Sequence, residues 1–198
     1  SGAGKTSLLR AGIIPRILAH GHLPILLRPY NRLPSEVLRR AFLPDLSQSP
    51  ILGKAPLRDF LSRVSNILGS KTSLYFLIDQ FEEFFNHVDV KEQETFITDL
   101  GECLDDGSLN VHWLISLRTE YHGRLGNFQP RIRNVYENDY LLKRLMRDEA
   151  REAVTEPAKR YKIKFEKGLP DRIIDDLHNN KNEIDPPQLQ LVCLAMFE

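Results

Sequence analysis

Five consecutive apolar or aromatic residues, Leu74-Tyr-Phe-Leu-Ile78, stand between Ser73 and Asp79. A strand with one wet face alternates apolar and polar residues, so a run without alternation calls for cover on both faces, as helices give a parallel sheet. The run is far shorter than the roughly 18 residues of a membrane span. Its surroundings supply the helices. Leu57, Phe60, Leu61, Val64, Ile67 and Leu68 recur at helical spacing behind Pro56 and stop at Gly69, and Phe96, Ile97, Leu100 and Leu104 mark a second amphipathic helix over 92–104. Val111–Leu117 is the next buried strand, Leu23–Arg28 an earlier one and Tyr140–Leu145 a further candidate. Residues 4–19 read as a helix burying Leu8, Leu9, Ile13 and Leu18, with a kink at Pro15. The Pro-spotted stretch 29–56 reads as a long loop. From about Arg147 onward the pattern is helical only. Alternating strand and helix predicts an α/β fold, a three-layer core with a parallel sheet over residues 1–145, followed by a small helical subdomain over 146–198.

Composition adds exclusions. Lys+Arg and Asp+Glu both number 27 in 198 residues, an ordinary globular balance that speaks against a dedicated nucleic-acid binder. Two cysteines and no Asn-x-Ser/Thr sequon point to reduced thiols and a cytoplasmic setting. The charge is nonetheless uneven. Residues 1–40 carry seven Lys/Arg against Glu36 alone, and residues 79–106 carry ten carboxylates against Lys91 alone. That division suits a phosphate site fed from the front and a metal site in the middle.

Ser1-Gly-Ala-Gly-Lys-Thr6 is the tail of the phosphate-loop pattern G-x-x-x-x-G-K-[ST], and the pattern's first glycine would fall two residues before Ser1, as though the chain were cut from a longer protein. Glycines at 2 and 4 let backbone N–H groups of Gly2, Ala3, Gly4 and Ser7 curl around a phosphate, and the following helix adds its positive end. Lys5 brings a point charge to the β- and γ-phosphates, and the Thr6 hydroxyl suits Mg²⁺. Such a site needs a carboxylate at a neighbouring strand end, and Asp79 fits. Glu82 and Glu83 follow three and four residues on; either could serve as general base, with Glu83 slightly favoured, or both could merely complement a helix N-terminus. Arg118 ends the strand 111–117 and suits a γ-phosphate. Lys159–Lys167 mixes basic and aromatic residues, a pattern more common in a solvated helix end than in a nucleic-acid contact.

Taken together, residues 2–16, Leu-Ile-Asp-Gln-Phe-Glu-Glu-Phe-Phe (77–85), Ile-Ser-Leu-Arg-Thr-Glu-Tyr-His-Gly-Arg-Leu (115–125), Glu-Ala-Val-Thr-Glu-Pro-Ala (152–158) and Pro-Pro-Gln-Leu-Gln-Leu-Val (186–192) resemble the novel STAND NTPase domain of multidomain bacterial signalling proteins. The resemblance implies a P-loop ATPase core with an AAA-like helical subdomain, a nucleotide-controlled switch using ATP and Mg²⁺. On that resemblance Lys5 and Thr6 take the Walker A roles, Asp79 the Walker B metal role, Glu82 or Glu83 the catalytic position and Arg118 the γ-phosphate sensor. Pro187 takes the place of the proline through which the helical subdomain meets nucleotide. Flanking sensor and effector domains and self-association are the partners it implies. The competing expectations are a non-hydrolysing, nucleotide-dependent scaffold and an AAA-type ATPase acting on nucleic acid.

Overall fold

The computed structural model describes residues 4–43, 53–179 and 183–197. They fall into two compact units, one over Thr6–Asp139 and the other over Tyr140–Glu198 with Ser1–Lys5. The first unit is built on three parallel strands, β1 (Leu23–Leu27), β2 (Leu74–Ile78) and β3 (Val111–Ile115), in the order β1-β2-β3. Their register aligns Leu27 with Ile78 and Ile78 with Ile115. The central strand β2 is the unalternated apolar run. Leu74, Phe76, Leu77 and Ile78 are all fully buried, so both of its faces are covered.

α1 is helical throughout but not uniform, with α-turns over Lys5–Ser7 and Ile14–Ala19 around a π-helical stretch at Leu8–Ile13. Pro15 has no N–H and its ring crowds the carbonyl four residues back, so the wider turn just ahead of it replaces the predicted kink. The widening also rotates the buried side. Leu9 and Ile17 are buried, whereas Leu8 and Leu18, expected inside, are exposed.

The predicted long loop contains a helix, α2 (Pro34–Phe42), because Pro34 stands in the first turn, where a missing N–H costs nothing. Within the stretch 29–56, residues 44–52 lie outside the described part. α3 (Leu57–Leu68) begins behind Pro56 and ends at Gly69, whose φ of +80° suits glycine. Leu57, Phe60 and Leu61 fill the core, but Ile67 is 84% exposed despite its helical spacing. Leu68, in the same turn, packs against the core, so Ile67 stands at the outer margin of the buried stripe.

After β2 come α4 (Glu82–His87) and α5 (Val90–Asp105). Asp89 caps α5 by accepting the Lys91 N–H at 2.9 Å. A 3₁₀ segment, Thr119–Phe128, follows β3. One core joins Leu57, Phe60 and Leu61 of α3 with Phe76, Phe84, Phe96, Leu100 and Phe128. Leu77, Leu9 and Ile17 are buried outside that cluster, as alternation along β2 requires if α1 covers the opposite face.

In the second unit the predicted strand over 140–145 is corrected. Tyr140 is 78% exposed, and only β4 (Leu145–Met146) is extended, pairing antiparallel with β5 (Glu183–Ile184) rather than joining the parallel sheet. Leu145 is the residue of that stretch that reaches a core. The helices are α6 (Arg147–Arg160), α7 (Leu169–Leu177) and α8 (Pro186–Phe197). They gather Ala150, Val154, Ile173, Ile174, Ile184 and Leu189. Arg147 pairs with Asp175, and Arg151 with Asp171 at 2.9 Å, fastening α6 to α7.

Candidate nucleotide site

The sheet register decides which side chains meet at its C-terminal edge. One position beyond the aligned Leu27, Ile78 and Ile115 stand Arg28, Asp79 and Ser116. The ladder continues through them: the Asp79 N–H donates to Leu27 O at 2.9 Å and the Ser116 N–H to Ile78 O at 2.8 Å. Side chains one row past the strand ends point the same way, so three polar groups converge on one spot.

Asp79 is only 1% exposed, and a carboxylate so placed must be surrounded by donors. The Thr6 hydroxyl donates to Asp79 Oδ2 at 2.7 Å, Arg28 donates to the same oxygen from Nε at 3.2 Å and from Nη2 at 2.9 Å, and the Ser116 hydroxyl reaches Oδ1 at 3.2 Å. Arg28 Nη2 also lies 3.4 Å from Thr6 Oγ1. Hydrogen bonding to Asp79 holds Arg28 above the ordinary guanidinium range, against the opposing effect of burial. Thr6 and Asp79, 73 residues apart in sequence, are thereby joined directly. A hydroxyl and a carboxylate, both hard oxygen donors, are the few protein ligands Mg²⁺ takes when phosphates and water complete its shell, so the donor set fits that ion.

A second pair lies beside the first. Glu82 opens α4 and is buried; its Oε1 accepts from Arg118 Nε at 3.0 Å and its Oε2 from the Arg118 backbone N–H at 3.2 Å. Glu83 faces outward on the same turn and pairs with His87 at 2.9 Å, one helical turn on. The two glutamates of the motif therefore do different things. The phenylalanines around them explain how the segment is held. Phe81 stacks on Phe84 at 4.7 Å, and Phe84 meets Phe96 edge-on at 5.3 Å, so α4 is anchored into the core on either side of Glu82 and Glu83. Gln80, between Asp79 and this anchor, takes φ of +57°, a left-handed conformation unusual for a side chain of its size.

The remaining predicted residues are placed as follows. Gly2 and Ala3 lie outside the described residues. Gly4 has φ of +82°, Lys5 and Thr6 begin α1, and Ser7 is exposed. Pro187 is exposed in the first turn of α8, in the second unit. Two members of the site were missed: Arg28, placed at the end of the strand over 23–28 but given no role, and Ser116, which lay within the strand over 111–117 without one. The available signal was positional, since the strands expected at 23–28 and 111–117 run up to Arg28 and across Ser116 just as the central run leads to Asp79.

The model of the novel STAND NTPase 1 family matches the chain over residues 1–198. The chain belongs to that family. Its NTPase character and its α/β P-loop fold thus agree with a strand-edge site of this kind. No curated protein matches the chain. Among solved structures it is similar to the Aeropyrum pernix ORC2 protein with ADPNP and ADP, at a TM-score of 0.62, 16% identity and coverage of 99% of this chain and 52% of that one. The ADP form of the same protein matches at 0.59 and 16%, covering 99% and 53%. The Walker-type ATPase of Pyrococcus abyssi matches at 0.56 and 15%, covering 95% and 58%. At such identities the likeness is one of fold. The STAND NTPase chain spans about half the length of these structures. No helix among its described residues is long and apolar enough to cross a membrane.

Proposed function

We propose that this STAND NTPase domain binds ATP with Mg²⁺, hydrolyses it slowly, and uses the nucleotide state as a conformational switch for sensor and effector domains of one cytoplasmic signalling protein. The observation that carries the reading is the direct Thr6–Asp79 hydrogen bond at 2.7 Å at the C-terminal edge of a parallel sheet, where open α/β sheets bind ligands. The backbone of Gly2, Ala3, Gly4 and Ser7 cradles the phosphates, and Lys5 meets the β- and γ-oxygens. Thr6 and Asp79 would hold the magnesium, which supplies charge neutralisation at those oxygens. Arg118 takes the γ-phosphate, on which its charged fork can close. Glu83, partly exposed and paired with His87, orients and deprotonates the attacking water; Glu82, both of whose oxygens engage Arg118, positions that arginine. Pro187 is the residue of α8 that the family resemblance assigns to the nucleotide, and loss of the γ-phosphate releases Arg118.

The test is Mg²⁺-dependent ATP binding and turnover by the intact protein, with Lys5→Ala, Glu83→Gln and Glu82→Gln. Expected are loss of binding in Lys5→Ala, binding without turnover in Glu83→Gln, and reduced discrimination between ATP and ADP in Glu82→Gln. Absence of binding in the unaltered protein overturns the reading; turnover unaffected by either glutamine overturns its catalytic part.

A further inference from the structure

The Thr6–Asp79 pair already has a cation. Arg28 places Nη2 at 2.9 Å from Asp79 Oδ2 and 3.4 Å from Thr6 Oγ1, the two oxygens assigned above to the metal, and adds Nε at 3.2 Å to the same carboxylate oxygen. With Thr6 that gives Oδ2 three donors, which fills its acceptor capacity. From these contacts we propose that Arg28 is the resident cation of the metal position: it neutralises buried Asp79 in the nucleotide-free protein, and a divalent ion enters only as Arg28 leaves.

Two features support this role. A carboxylate 1% exposed requires a countercharge, and Arg28 is the cation in contact with it among the described residues. The Arg28 side chain is 29% exposed, which leaves it a route off the carboxylate toward solvent or toward a bound anion. The consequence is an order of events. Free Mg²⁺ competes poorly against a tethered cation, whereas a nucleotide that arrives with its metal offers Arg28 phosphate oxygens in exchange for Asp79. The inference rests on the proposed metal role of Thr6 and Asp79.

The experiment titrates Mn²⁺, standing in for Mg²⁺, into the nucleotide-free intact protein and follows free Mn²⁺ by electron paramagnetic resonance. Arg28→Gln is expected to bind Mn²⁺ at least about tenfold more tightly than the unaltered protein, since removing one like charge at contact distance is worth more than a decade in affinity. Adding Asp79→Asn to Arg28→Gln is expected to abolish that gain. Unchanged or weaker Mn²⁺ binding in Arg28→Gln overturns the proposal. If Arg28→Gln does not fold, Arg28→Lys replaces it: a single ammonium cannot cover both oxygens as the fork does, and at least about threefold tighter binding is expected. Unchanged or weaker Mn²⁺ binding in the lysine variant is equally fatal. The same titration with ADPNP separates the two layers. Asp79→Asn that keeps nucleotide-dependent Mn²⁺ binding overturns the metal reading and the inference with it. Loss of that binding in Asp79→Asn, with Arg28→Gln no tighter than the unaltered protein for Mn²⁺ in the absence of nucleotide, overturns the role of Arg28 alone.

Discussion

The Glu82–Arg118 pair is lopsided, and its two ends should respond unequally to removal. The Glu82 side chain is 6% exposed and that of Arg118 46%. Arg118→Ala removes the Nε donor at 3.0 Å and the only side-chain cation in contact with Glu82 among the described residues, leaving a buried carboxylate with the backbone N–H at 3.2 Å. A charge-assisted hydrogen bond contributes about 1.5–3 kcal/mol, and an uncompensated buried charge adds its desolvation, so the cost should be about 2–3 kcal/mol with the backbone donor retained. Glu82→Gln strands nothing, because Arg118 turns into water and the amide oxygen still accepts from the backbone; about 1 kcal/mol is expected. In the double variant the stranded charge is gone, so its loss should fall near that of Glu82→Gln alone, a coupling of roughly 2–3 kcal/mol. Urea unfolding of the nucleotide-free protein, with an m-value of about 2 kcal/mol/M, converts these to midpoint shifts of about 1 M and about 0.5 M. Equal losses in the two single variants, or additivity in the double, would refute the account of a buried acid held by an exposed base.

Phe84 is fully buried among Phe81, Phe85, Phe96 and Phe128, so Phe84→Ala should cost about 3–5 kcal/mol by urea titration, and a loss under about 1 kcal/mol would contradict the packing. At Gln80, with φ of +57°, Gln80→Val should destabilise by about 1–3 kcal/mol while Gln80→Gly changes little; equal effects would remove the argument from backbone strain. Burial pushes the Cys103 thiol up to about 12, so at pH 8, four units lower, on the order of one molecule in ten thousand carries the thiolate. Iodoacetamide followed by mass spectrometry should label Cys103 in urea and not in the native protein; its thiolate, and its reactivity while folded, should increase as pH rises toward that value.

What could be read ahead of the structure followed from burial that leaves a periodic trace. The unbroken run 74–78 announced a strand covered on both faces, and the heptad-like spacing behind Pro56 announced α3. What could not be read was set by local backbone events and by where an element stops. Pro15 converts the turn before it into a π-stretch, and the phase change puts Leu8 and Leu18 outside. Pro34 looked like a breaker but stands at a helix start. Ile67 has the right spacing but stands at the outer margin of a stripe whose next residue, Leu68, reaches the core, and residues 140–144 carry strand-forming side chains with no sheet beside them. In the site, Asp79 and Arg118 were visible as charges terminating apolar runs. Arg28 met the same description, but its role depends on the register that sets it level with Asp79, a long-range property that residue types alone do not carry.

That register also gives the uneven charge of the chain a local meaning. The acidic middle is not simply a solvated surface; at the sheet edge two of its carboxylates form cross-strand pairs, Asp79 with Arg28 of the basic front and Glu82 with Arg118, which follows β3. Both carboxylates follow β2 and both arginines follow its neighbours. An anion binding at this edge draws on arginines already committed, and each one it takes leaves a buried carboxylate without its cation. A ligand carrying negative charge alone would therefore be opposed by the very groups that attract it. In the roles proposed above, a ligand that brings a divalent cation would restore the balance at Asp79 as it removes Arg28, and would leave only Glu82 to be re-satisfied when Arg118 turned to the phosphate. On this account the nucleotide-free state is not an open site waiting for ligand but a neutralised one, and discrimination between metal-bound and metal-free nucleotide is built into the same two ion pairs that stabilise the empty domain.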